Sequence, residues 1–302
     1  MNAQLADLLE LLELESLEVN LFRGESRDIG SPQVFGGQVL GQALTAASAT
    51  VEGRIVHSLH AYFLRRGDFN APIVYQVDRS LDGHSFCNRR VVAIQHGEPI
   101  FNMAASFQVA EEGLEHQIGM PAVPPPEELP DSSRPPPELL ARLPESLRRF
   151  LEQPRPFEFR LVQPFDYVAP RDAPPSRQVW FRAVDRLPPD ERLHRRLLAY
   201  LSDYFLLDTA TLPHGSLFWK STVVMASIDH AMWFHRPLRV DDWLLYAVES
   251  PSASGARGFA RAGVYARDGR LVASTAQEGL VRLRREKAGQ VRVRPAAGPC
   301  RD

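Results

Sequence analysis

At 302 residues, with 44% hydrophobic and 24% charged residues, the chain has the make-up of an ordinary globular protein, long enough for two domains or one large one. Its formal net charge of -2 gives no reason to expect nucleic acid or an anionic membrane as main partner, and no apolar run approaches the roughly 20 residues of a bilayer span. Two cysteines, Cys87 and Cys300, make no disulfide framework, and Met1 to Asp7 lacks a basic stretch leading into an apolar core, so a reducing cytoplasm is the expected compartment.

Leu5, Leu8, Leu9, Leu11, Leu12 and Leu14 are spaced for a short amphipathic helix. Gly36-Gly37 then opens a small-residue helix over Val39 to Ala47, whose lack of bulk lets a sheet approach closely. From about Ile55 to Val109 the composition turns to strands. Ile73 to Val77 and Arg89 to Ile94 are rich in β-branched and aromatic residues, with turn signals at Asp82-Gly83 and His96-Gly97.

A proline-dense stretch over 119–160, with Pro124 to Pro126 and Pro135 to Pro137, reads as a linker, within which Glu138 to Glu152 has the make-up of one helical piece. Beyond it the programme repeats. Leu193 to Leu207 reads as a helix and about Thr222 to Val281 as strands. At an offset of about 170, His57 to Phe63 falls on Ser227 to Trp233, and Ala104 to Gln108 falls close to Ala273 to Gln277. The order of these matches implies a duplicated α+β unit, a helix on an antiparallel sheet, occupying residues 1–118 and again 161–286. Two such units can pair their sheets edge to edge and so remove exposed strand edges. Residues 287–302 are too poor in apolar groups to fold alone.

Asp203 is unusual for a helical aspartate. Ala199, Tyr200, Leu206 and Leu207, three and four positions away, are all apolar or aromatic. A carboxylate on such a stripe is costly to desolvate, and burial raises its pKa toward that of a useful base. The alternative is a surface aspartate beside a misplaced helix boundary. The first-half helix carries no acidic residue, so a duplicated chain would have one catalytic centre and not two. Ser227 and Gln277, in strand-like runs, are poor bases but can hold a water, provided they meet Asp203 in space.

Other chemistries find less support. The nine histidines show no metal-ligand spacing, and Cys87 has no local partner for zinc, so neither metal nor cofactor is expected. His57-Ser58 and Asp229-His230 lack the Gly-x-Ser-x-Gly elbow of a serine hydrolase. His57 is a second catalytic candidate, placed to approach a substrate from the opposite half.

Several runs in one order resemble the type II acyl-CoA thioesterases, the double-hotdog family that includes bacterial thioesterase II. They are Leu21 to Gly24, Gln33 to Val39, His57 to Arg65, Arg177 to Trp180, Pro213 to Gly215, Ile228 to Pro237 and Ala273 to Gly279. The resemblance covers about Leu5 to Arg284. It implies a double-hotdog fold and hydrolysis of medium- to long-chain fatty acyl-CoA, in lipid metabolism, by a water that an Asp, a Ser or Thr and a Gln orient. By motif these are Asp203, which follows Ser202; Ser227, before Ile-Asp-His; and Gln277, before Glu-Gly. Ser227 stands where relatives often carry Thr, and Tyr204-Phe205 where they have a more polar neighbour. Self-association into a dimer or tetramer of double hotdogs is also implied. The alternatives are a hydratase on the same fold, with His57 as base, and a non-hydrolytic acyl-CoA-binding protein.

Overall fold

The computed structural model describes residues 1–302 except 32, 134, 144, 167–170, 216–222 and 284–302, so the tail expected over 287–302, and Cys300 within it, lies outside the described residues. The first half runs α1 (Ala3–Leu12), β1 (Glu15–Glu18), β2 (Leu21–Gly24), α2 (Gly36–Ala49), β3 (Ile55–Phe63), β4 (Ile73–Asp82), β5 (Phe86–Gln95) and β6 (Glu98–Gln108). Two short helices, α3 (Pro137–Leu140) and α4 (Glu145–Glu152), follow. The second half is β7 (Phe157–Leu161), β8 (Ser176–Ala183), α5 (Glu191–Leu201), β9 (Val223–Ser227), β10 (Asp229–Phe234), β11 (Leu244–Ser254), β12 (Arg257–Ala266) and β13 (Leu271–Leu283).

The strands form one antiparallel sheet in the order β1-β2-β4-β5-β6-β3-β10-β13-β12-β11-β8-β7, with β9 on β13. Read outward from the centre, the two halves have matching order, as the repeat in the sequence requires. They join where β3 meets β10, with Leu59 opposite Met232 and His60 opposite Ala231. This seam consumes an edge of each sheet. The result is an α+β fold of two hotdog-like units.

Burial alternates along the strands and follows a helical stripe in α1, where Leu5, Leu8, Leu11 and Leu12 are buried and Asn2 caps the first turn by accepting from Gln4 and Leu5 N–H. A single core joins the halves: Leu40 and Leu44 of α2 and Leu197 and Leu198 of α5 pack with Tyr75, Val91, Tyr246 and Val264 of the strands. The small residues of α2, expected to let a sheet approach, also let the helices α1 and α5 approach. A Cβ at Gly41 would meet Leu12 at 2.9 Å and Tyr200 at 3.4 Å.

Three sequence expectations need correction. The proline-dense stretch is not a free tether: Met120, Val123 and Leu129 pack against Trp180, Trp243, Leu245 and Tyr265. The Trp180 indole N–H donates to the Pro124 carbonyl at 2.9 Å, and Arg160 donates to the carbonyls of Pro126 and Leu129. Proline cannot extend the ladder, but its carbonyls still accept, so the segment lies on the sheet as a strap. Strand β7 starts inside the stretch read as linker, and the single helical piece is two.

The helix expected to reach Leu207 stops at Leu201. The Ser202 hydroxyl bonds the Ala199 carbonyl, Phe205 turns the chain with φ of 64°, and a 3-10 segment, Leu207–His214, follows.

Candidate active site

Asp203 therefore stands two residues past the end of α5, where the chain is already turning. Its carboxyl points at the first turn of α2 in the other half. That turn has no side-chain cap: Gln38 and Val39 N–H donate to the Phe35 carbonyl, and the N–H groups of Gly36 and Gly37 are left to face an anion. Gly37 N–H bonds the carboxylate. The close approach depends on two glycines: a Cβ at Gly36 would lie 2.6 Å from Asp203 Oδ2, and one at Gly37 would run into the Tyr200 carbonyl oxygen.

Strands β9 and β13 bring the remaining groups. Ser227 pairs with Gly279, two residues along β13 from Gln277, which pairs with Ala260. The Gln277 amide Nε2 lies 2.8 Å from Asp203 Oδ1, 3.2 Å from Ser227 Oγ and 3.2 Å from His230 Nδ1. Gln277 is buried, and its Oε1 has no hydrogen-bond partner among the described residues. The three side chains singled out in the sequence thus meet in one cluster.

Burial raises the Asp203 pKa to about 6, against the lowering effect of hydrogen bonds from Gln277, Gly37 and Ser227. A carboxyl poised there is ionised at neutral pH yet basic enough to take a proton. Phe35 and Tyr204 stack beside it with centroids 4.7 Å apart, and Tyr204 lies 5.6 Å from Phe159, so one side of the carboxyl is aromatic.

Residues 23–108 match the model of the acyl-CoA thioesterase N-terminal domain, and residues 163–280 match that of acyl-CoA thioesterase. Over 283 residues the chain is 43% identical to acyl-CoA thioesterase 2 of Haemophilus influenzae, covering 92% of this chain and 98% of that one. It is 43% identical over 284 residues to human acyl-coenzyme A thioesterase 8, covering 91% and 88% respectively. The chain belongs to the acyl-CoA thioesterase family. Among solved structures, acyl-CoA thioesterase II TesB2 of Mycobacterium marinum superposes on it with a TM-score of 0.75 at 44% identity, covering 92% of this chain and 98% of that one.

Within this thioesterase fold, His57 is not part of the cluster. Its Nε2 bonds Ser106 Oγ at 2.8 Å and its ring edge meets Phe86, both in the first half. Along the seam, His57 lies next to Ser58, which pairs with Trp233, whereas Phe63 N–H reaches Ile228 beside Ser227. Six residues of strand separate the two ends, roughly 20 Å. Burial and the Arg195 charge lower the His57 pKa.

Two residues at the site were not singled out in the sequence. His230 is buried on β10, and Ser202 at the end of α5 joins it, with Ser202 Oγ 2.9 Å from His230 Nε2. The available signal was alternation: His230, Met232 and Phe234 share the inward face of β10. A histidine on such a face needs polar partners. Among the described residues no group of three or more His, Cys, Asp or Glu is arranged to hold a metal ion, and no helix is long and apolar enough to cross a membrane.

Proposed function

We propose that this protein hydrolyses fatty acyl-CoA to free fatty acid and CoA, with Asp203 as general base. The observation that carries this reading is the partly buried Asp203 carboxyl, raised to about 6 and held by the Gln277 amide at 2.8 Å. The names of the relatives point to the same substrate class. Asp203 removes a proton from water as its oxygen attacks the thioester carbonyl. Ser227 Oγ and the free Gln277 Oε1 hold that water in line, a positioning effect. The developing oxyanion is met by N–H groups of the α2 first turn, where the helix dipole favours negative charge. The tetrahedral intermediate collapses by breaking the C–S bond. CoA leaves as a thiolate and takes up the proton, so no dedicated acid is needed. Atoms balance as acyl-CoA plus water giving fatty acid plus free thiol.

Residues 1–118 and 161–286 act in this reading as two units, the second supplying the base and the first its helix terminus. The aromatic surroundings of Asp203 favour medium to long acyl chains. A cytoplasmic location and a dimer or tetramer of double units complete the proposal. The test is to follow thiol release from a series of acyl-CoA esters, short to long. Release that rises with chain length is expected. Binding of acyl-CoA without thiol release from any member would make the protein a carrier and overturn the reading.

A further inference from the structure

We infer that His230, fixed by Ser202, is a positioning residue that sets the orientation of the Gln277 amide. The inference rests on the hydrolytic reading above. It starts from donor counting. The Ser202 hydroxyl has one proton and gives it to the Ala199 carbonyl at 2.8 Å, within its own helix turn. Facing His230 Nε2 at 2.9 Å, Ser202 Oγ can then only accept. His230 therefore carries its proton on Nε2 and presents a bare Nδ1 to Gln277. The Tyr246 hydroxyl, which donates to the Ser202 carbonyl at 2.8 Å, holds this turn in place.

Gln277 Nε2 has three neighbours, Asp203 Oδ1 at 2.8 Å, His230 Nδ1 at 3.2 Å and Ser227 Oγ at 3.2 Å; the Ser227 hydroxyl has its own bond to Asp203, and the two amide N–H groups serve the carboxylate and the ring nitrogen, which can only accept. The flipped amide would set Oε1 against both. While Asp203 is ionised, its charge alone would prevent that flip. Once Asp203 has taken the water proton, it can donate to Oε1, and the flip no longer meets repulsion from that side. His230 Nδ1 still forbids it. The histidine therefore keeps Oε1 directed at the water through the step in which the base changes charge.

The surroundings keep His230 neutral. It is fully buried, and burial lowers its pKa to about 3. Among the described residues the ionisable groups nearby are Tyr246 on β11, Tyr200 in α5 and Tyr204 just past it, all phenols raised by burial, with Asp229 and Glu278 next along the strands, where Asp229 accepts from Glu278 N–H and Glu278 pairs with Arg257. The Arg177–Asp208 ion pair lies farther along the turn.

The test compares kcat, KM and the pH dependence of kcat for the wild type, His230→Leu, His230→Asn, Ser202→Ala and Asp203→Asn. His230→Leu is expected to lower kcat about 100-fold with KM within about twofold, a loss of positioning rather than of substrate binding. With the amide free to flip and accept from protonated Asp203, the protonated form gains a partner and the acid limb of kcat moves to higher pH. His230→Asn, whose Oδ1 can accept where Nδ1 did, is expected to recover at least about tenfold of the loss. Ser202→Ala keeps the imidazole but frees its tautomer, giving a smaller effect of the same sign. A folded His230→Leu with wild-type kcat and limb overturns the inference, as does a fall in kcat that leaves the limb in place or is not recovered by Asn. If neither His230 variant folds, Ser202→Ala decides: an unmoved limb and kcat overturn it. An active Asp203→Asn would instead remove Asp203 as the base of the proposed function.

Discussion

The two halves share one plan and differ at their helix termini. The first turn of α2 is uncapped, opens with two glycines and receives the Asp203 carboxylate from the other half. The first turn of α5 is capped by its own Asp190, and its Arg195 fills the corresponding space, bonded to Glu191 and to the Val56 carbonyl next to His57. Strand β3 breaks register at His57 and β9 gives way to β10 after Ser227, the matching place in the repeat. The central tyrosines Tyr75 and Tyr246 are both fully buried. Tyr75 bonds Gln42 at 2.6 Å, while Tyr246 bonds the turn that carries Asp203. A helix N-terminus left open beside a partly buried carboxylate can do chemistry. One filled by an ion pair does structural work.

Breaking the open terminus should have the largest effect. Gly37→Ala forces a methyl into the Tyr200 carbonyl, so backbone must move. Expected are a stability loss of about 1–3 kcal/mol in denaturant unfolding and a fall in kcat of at least about 100-fold. Next comes Gln277→Ala, which removes both the orienting amide and its hydrogen bond to Asp203. A fall in kcat of about 100-fold is expected, with the acid limb moving upward, checked by thiol release across pH. The smallest effect on turnover belongs to the closed terminus. Arg195→Met should cost about 1–3 kcal/mol of stability, because the buried guanidinium anchors β3, yet leave kcat within about twofold.

Much of this comparison was legible in the sequence. The repeat made His57 to Phe63 and Ser227 to Trp233 equivalent runs, which are the stretches that meet at the β3–β10 seam, and the absence of any acid in α2 pointed to one centre. Asp203 stood out because its neighbours are apolar, and the motif resemblance pointed to Ser227 and Gln277. The end of α5 was not legible, since Leu206 and Leu207 continue the helical stripe; Ser202 and the positive φ of Phe205 stop it, and both act through tertiary contacts. The strap was misread because proline density speaks to backbone ladders and not to what a carbonyl or a methionine can pack against. His57 was raised by its strand position, but only register could show that it lies at the far end of the seam. His230 was passed over because a histidine on a strand reveals its partners only in three dimensions.

The most direct measurement is Asp203→Asn, followed by both turnover and unfolding. A folded-state pKa raised from 3.8 to about 6 means Asp203 lends stability below its unfolded value and loses it as pH rises through about 6. The neutral amide should therefore stabilise the fold at about pH 8, by up to about 3 kcal/mol, with the gain vanishing below about pH 4. At the same pH kcat should fall about 1,000-fold. Near-normal turnover, or a fold weakened at high pH, would contradict the account.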